Sequence, residues 1–148
     1  MDIEIIKQLV REDQYLYSVH AEIERKADEL TFMQIEEALL SGKILEEYAD
    51  TGRGESCLIC YTMSKQGKTV KCNFCGSERF EERRIDYLYS YKGDYLLVPN
   101  TPVEVCLECG MVYYEAAVLK EIERRFFAIK QNKEQPDTYI QMPTAAYS

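Results

Sequence analysis

Two copies of Cys-x-x-Cys-Gly, Cys72-Asn73-Phe74-Cys75-Gly76 and Cys106-Leu107-Glu108-Cys109-Gly110, constrain this chain more than any other feature. Two residues between cysteines allow one tight turn to aim both sulfurs at one ion. Two such turns supply four thiolates, the closed ligand set of a structural zinc site. The glycine after each second cysteine can take a positive φ, and the backbone N–H groups around the turn can then point at sulfur. Cys72, Cys75, Cys106 and Cys109 are therefore the expected ligands of one structural Zn2+, with a hairpin bringing the two turns together.

Cys57 and Cys60 form a third Cys-x-x-Cys, followed by Tyr61 rather than glycine. The run Cys57-Leu58-Ile59-Cys60-Tyr61 reads as a strand, where residues three apart face opposite ways. These two cysteines are better read as small buried side chains. A rival set of Cys57, Cys60, Cys72 and Cys75 leaves Cys106 and Cys109 without a role.

The chain has 148 residues and a net charge of −8. That length suits one ordinary domain or two small ones. The acidic excess falls on both sides of Lys71, so neither half offers the positive field that sequence-independent nucleic-acid binding requires. Met1 to Val10 is short, mixed with charge and without a small-residue cleavage site, and no run approaches a membrane span. The expected setting is the cytoplasm, where thiols stay reduced and paired cysteines point to metal.

Periodicity divides the chain. Ile3, Ile6, Leu9 and Val10 share one helical face, and Leu16, Val19, Ile23, Ala27 and Leu30 continue at helical spacing. Thr31-x-x-Gln34 is a capping box opening a helix with Phe32, Ile35, Ala38 and Leu39 inward, stopped at Gly42. Three strands are expected next, over 44–49, 56–63 and 68–71. Beyond the first cysteine pair, Phe80 to Tyr91 alternates as a strand and Lys92-Gly93-Asp94 turns the chain. Tyr95 to Val98 returns, Pro99-Asn100-Thr101-Pro102 breaks that strand, and Val103 to Val105 lead into Cys106. A helix follows from Glu115 to about Lys130, either a dimer contact or a cover for the sheet. The tyrosines at 87, 89 and 91 share one strand face and read as core or interface. The expected class is α+β: N-terminal helices on a small antiparallel sheet, then a zinc-bound β-hairpin domain with a C-terminal helix. The expected divisions are 1–71, 72–134 and an extended or flexible tail, 135–148.

From Cys72 to the C-terminus the residues resemble the YgiT-type zinc finger, the zinc-binding domain of MqsA-type antitoxins. The likeness lies in Cys72-x-x-Cys75-Gly76, the hairpin, and Val98-Pro99-Asn100-Thr101-Pro102-Val103-Glu104-Val105 before Cys106-x-x-Cys109-Gly110. Tyr113, Ile122 and Glu123 continue it, as does the segment Tyr139-Ile140-Gln141-Met142-Pro143. The resemblance implies structural zinc and contact with a toxin or another small protein. The helix-turn-helix by which longer MqsA-type antitoxins bind operator DNA has no counterpart here, so a transcriptional regulator is the weakest reading.

Residues from about Ser18 to Lys71 resemble a small bacterial family of unknown function often encoded beside such fingers. The residues that carry this likeness are Ser18, His20, Ala21, Leu30-Thr31, Gly42-Lys43-Ile44, Glu47-x-x-Asp50 and Ser56-Cys57-Leu58. Helices followed by a sheet also resemble the compact α+β fold of RelE- and MqsR-type ribonuclease toxins. Where that family has basic residues after the histidine, this chain has Glu24 and Asp28, and Lys71 replaces a second histidine. Cleaving RNA needs cations for phosphate and a group titrating near neutrality. His20, Arg25 and Lys71 are the candidates for such a site, which would be inhibited in cis by the finger. The leading expectation is non-enzymatic: a toxin–antitoxin-related protein acting through protein contacts or self-masking.

Overall fold

The computed structural model describes residues 2–42, 44, 46–48, 56–57 and 71–146. It is an α+β fold. In chain order the elements are α1 (Ile3–Arg11), β1 (Leu16–Ser18), α2 (Val19–Ala27), α3 (Phe32–Ser41), β2 (Glu47–Tyr48), β3 (Ser56–Cys57), β4 (Phe80–Tyr91), β5 (Asp94–Cys106), β6 (Val112–Glu115) and α4 (Ala116–Lys130).

The helix starts follow from local chemistry. The Asp2 carboxylate accepts from the Glu4 N–H and the Ser18 hydroxyl accepts from the Ala21 N–H, each satisfying a first-turn donor. Thr31 and Gln34 form the expected capping box of α3. The hairpin turn is also as expected: Lys92 and Gly93 both have positive φ, 49° and 82°, and Tyr91 pairs with Asp94. That is the mirror-image turn whose twist suits a two-residue hairpin.

Two expectations are corrected. First, Leu16 does not begin a helix. Residues 16–18 form β1, which pairs antiparallel with β6, Tyr17 opposite Tyr114. The apolar stripe expected on the following helix is not its buried face, since Ile23 is 57% exposed while Glu22 and Arg25 are 2% exposed. A charged pair turns inward because its partners are built into the core, as described below. Second, Pro99 to Pro102 do not end a strand. β5 runs unbroken from Asp94 to Cys106, with a register shift on β4 between Ile85 and Tyr87 and a positive φ of 57° at Asn100. Only Glu104 and Val105 of β5 also pair with β6. Among the described residues the proline-bearing part therefore has a strand on one side alone, and a missing N–H is tolerated there.

β2 and β3 are a two-residue antiparallel pair, and most of the strands expected over 44–49, 56–63 and 68–71 lie outside the described residues. The larger sheet has the order β1-β6-β5-β4, all antiparallel. One core joins Val10, Tyr17 and Phe32 from before residue 71 with Tyr89, Leu119 and Phe126 from after it. Described residues from both sides of residue 71 thus share a sheet and a core. Tyr87 and Tyr89 are buried in it, and α4 covers the sheet by placing Phe126 against Tyr89 and Phe127 against Tyr91.

Candidate metal centre

The two Cys-x-x-Cys-Gly turns are backbone copies of one another. Cys72 N–H donates to the Ser77 carbonyl at 2.8 Å, and Cys106 N–H to the Met111 carbonyl at 2.9 Å. Gly76 N–H donates to the Cys72 carbonyl at 2.7 Å, and Gly110 N–H to the Cys106 carbonyl at 2.9 Å. The glycine φ values are 76° and 75°. Ser77 N–H then bonds the Cys75 sulfur, as Met111 N–H bonds the Cys109 sulfur. Gly110 is required by its φ and not by space, since a Cβ there would meet nothing within 4 Å. Gly110→Ala should cost about 1–2 kcal/mol through the left-handed backbone alone, measured by urea denaturation of the metal-loaded protein. An unchanged midpoint would show that the turn relaxes freely.

Folding brings the two turns face to face. β4 starts shortly after the first, β5 runs into the second, and Phe80 of β4 pairs with Cys106. Leu107 N–H donates to the Arg79 carbonyl at 3.0 Å, stitching one turn to the other. The sulfurs of Cys72, Cys75, Cys106 and Cys109 all lie within 4.8 Å of one another, with Cys72–Cys109 and Cys75–Cys106 at 3.5 Å. All four are free thiols, Cys72 and Cys106 buried, Cys75 and Cys109 exposed. This cluster could hold a metal ion. Beneath it Cys72, Cys106 and Tyr113 form a small core of their own, packed by Leu16, Phe80 and Met111.

The electrostatics favour a cation. Burial opposes ionisation of Cys72, but the Tyr113 hydroxyl and the N–H groups of Cys75 and Phe74 outweigh it and bring the thiol down to about 6. At Cys109 the Met111 N–H favours the thiolate. Lost water and the sulfurs of Cys72, Cys75 and Cys106 prevail, and push that thiol up to about 12. Cys75 is raised as well: the Ser77 N–H favours its thiolate, but lost water and the Cys106 sulfur override it. One sulfur is prepared to ionise, while Cys75 and Cys109 are held back by lost water and by hydrogen bonds with the other sulfurs. A divalent ion removes that conflict and takes all four as thiolates.

Cys57 falls in β3, and Cys60 lies outside the described residues. The three catalytic candidates have different surroundings. His20 is exposed in the first turn of α2. Lys71 is partly exposed beside the first turn, 4.0 Å from the Glu78 carboxylate. Arg25 is buried and committed. Its Nε and Nη2 each donate to a different oxygen of Glu22 at 2.8 Å, and Nη1 donates to the Leu30 carbonyl at 2.6 Å. Its guanidinium carbon lies 4.6 Å from the Phe32 ring centre and 4.8 Å from that of Tyr89. A guanidinium so enclosed does not face solvent to receive a phosphate.

Glu22 also accepts from the Tyr87 hydroxyl. Glu123 of α4 is a second buried carboxylate, accepting from Phe32 N–H at 2.9 Å and the Tyr89 hydroxyl at 2.7 Å. It caps α3 from across the fold. Both tyrosines are held protonated, first by burial and then by these carboxylates. Glu36 accepts from the Tyr15 hydroxyl at 2.5 Å and lies 3.1 Å from the Lys120 ammonium.

Residues 17–85 match the model of a family described as Domain of unknown function (DUF4258). The match covers less than half of the chain, beginning in β1 and ending in β4, so it passes residue 71 and takes in the first cysteine turn. No curated protein and no solved structure matches the chain. Among the described residues no helix is long and apolar enough to cross a membrane.

Proposed function

We propose that the chain binds one zinc ion through Cys72, Cys75, Cys106 and Cys109, as a structural centre. The zinc-held sheet then keeps the N-terminal segment permanently covered. The observation that carries this reading is the sulfur cluster itself. Four thiolates at about 2.3 Å from a tetrahedral ion stand about 3.8 Å apart, and the sulfurs already span 3.5 to 4.8 Å. With four cysteines the set is closed and leaves no position for a substrate.

The protein is then a non-enzymatic, toxin–antitoxin-related molecule of the YgiT-type, acting through self-masking or through contact with a small partner protein. β1 is a strand of the same sheet as β6, and α2 and α3 bury side chains in the core that α4 closes. Both support masking in cis, since attachment within one chain makes the contact effectively permanent. The burial of Arg25 supports a non-enzymatic role.

Native mass spectrometry of the protein purified from its own host, with RNA incubation of the same sample, tests the proposal. One zinc per chain, no cleavage, and no change on His20→Ala are expected. RNA cleavage that disappears in His20→Ala would replace this reading with a ribonuclease inhibited in cis. Two metals per chain would return Cys57 and Cys60 to the ligand set.

A further inference from the structure

The two cysteine turns are alike in backbone but not in support. Cys106 is the last residue of β5 and Val112 the first of β6, so the second turn is gripped by strand on both sides. Among the described residues the first has a strand only after it, at Phe80, and Lys71 before it belongs to none. A ligand set misplaced by an ångström binds its ion poorly, so what fixes the first turn matters.

Tyr113 makes good the difference. It lies on β6 opposite Glu104 of β5 and Ser18 of β1, so strands on both sides fix its backbone. Its ring is 5% exposed and packs edge-on against Phe80 at 5.9 Å between centres. The hydroxyl reaches across to the first turn. It accepts from the Asn73 N–H at 3.1 Å, donates to the Asn73 side-chain oxygen, and stands 3.3 Å from the Cys72 sulfur. A metal-bound sulfur carries no proton, so the phenol's single proton is shared between the Asn73 oxygen and that sulfur.

We propose that Tyr113 is a positioning residue of the metal centre, its hydroxyl clamping the first cysteine turn to the sheet and sharing its proton between the Asn73 side-chain oxygen and the ligand sulfur of Cys72. The proposal rests on the four-cysteine zinc reading. Groups that orient metal ligands in this way commonly matter about 10–100-fold in affinity.

The test uses the full chain and Tyr113→Phe, which keeps the ring and removes one oxygen. Tyr95→Phe, at a position 62% exposed, is the control. Zinc affinity is read by competition with a chromophoric chelator, and cobalt(II) replaces zinc for absorption spectroscopy. Tyr113→Phe is expected to bind zinc about 10–100-fold more weakly. Its sulfur-to-cobalt charge-transfer band should move to longer wavelength, because an unbonded thiolate gives up its electrons more easily. The control should change neither. Native affinity in Tyr113→Phe overturns the proposal. So does weaker binding with an unmoved band, which would reduce the tyrosine to packing. If the unaltered chain takes up neither metal, it is the four-cysteine reading that fails.

Discussion

Chelation of the zinc-loaded chain should unfold it on both sides of residue 71. The apparent binding free energy of structural zinc in small fingers is about 10–16 kcal/mol, as large as the whole stability of a typical domain, about 5–15 kcal/mol. The loss should not stay near the cysteines. β6 leaves the second turn directly, β1 pairs with β6, and α4 follows β6 without a break. The four-cysteine cluster therefore sits at the head of the segment that organises both the sheet and the helix covering it. With 12 tyrosines and no tryptophan, near-UV dichroism reports chiefly on tyrosine environments. That signal should collapse with chelator and return with zinc, and protease should then cut both before and after Lys71. Native dichroism and protease resistance in a chelated, metal-free sample would show that the centre is not structural.

The second large effect belongs to Arg25. Replacing it with alanine leaves the Glu22 carboxylate, 2% exposed, without the guanidinium that meets both of its oxygens. Breaking a buried pair by removing one partner costs about 3–5 kcal/mol, because the remaining charge is stranded. Lysine should rescue little, since an ammonium cannot reproduce the two-pronged contact or the stacking between Phe32 and Tyr89. Removing both charges together, as Glu22→Gln with Arg25→Met, should recover much of the loss. Urea denaturation of the four proteins measures this. A single Arg25→Ala variant within about 1 kcal/mol of the parent would mean that water reaches Glu22, contrary to its burial. A catalytic Arg25 makes the opposite forecast, with stability little changed and activity lost.

What could be read from the residues divides along physical lines. The cysteine turns, the α3 capping box and the hairpin turn at Lys92-Gly93 are set by short-range geometry, and each was legible in a few adjacent letters. β1 was not. Leu16-Tyr17-Ser18 is too short to show a period of two, and it is a strand only because β6 waits for it far along the chain. The inward face of α2 was hidden for the same reason. A rule that seeks apolar stripes puts Ile23 inside and Arg25 outside, and nothing near Arg25 in sequence announces the rings of Phe32 and Tyr89. β5 misled through Pro99 and Pro102, whose strand-breaking force depends on whether a neighbour needs their missing N–H. The gathering of the four cysteines was plain from spacing. The hydroxyl of Tyr113 was not, because its contact with Cys72 exists only in three dimensions.

The pairing of β1 with β6 also fixes an order of events. A chain emerging from the ribosome presents β1, α2 and α3 long before β6 and α4 exist; the bond from Phe32 N–H to Glu123 alone spans 91 residues. Contacts so distant in sequence form late, after the cost of closing the intervening loop. The described part of the N-terminal segment therefore completes its core late in synthesis. It gains its core only when the cysteine turns have been made and the last helix has been delivered, so whatever surface it would display alone is covered in the same step that creates it.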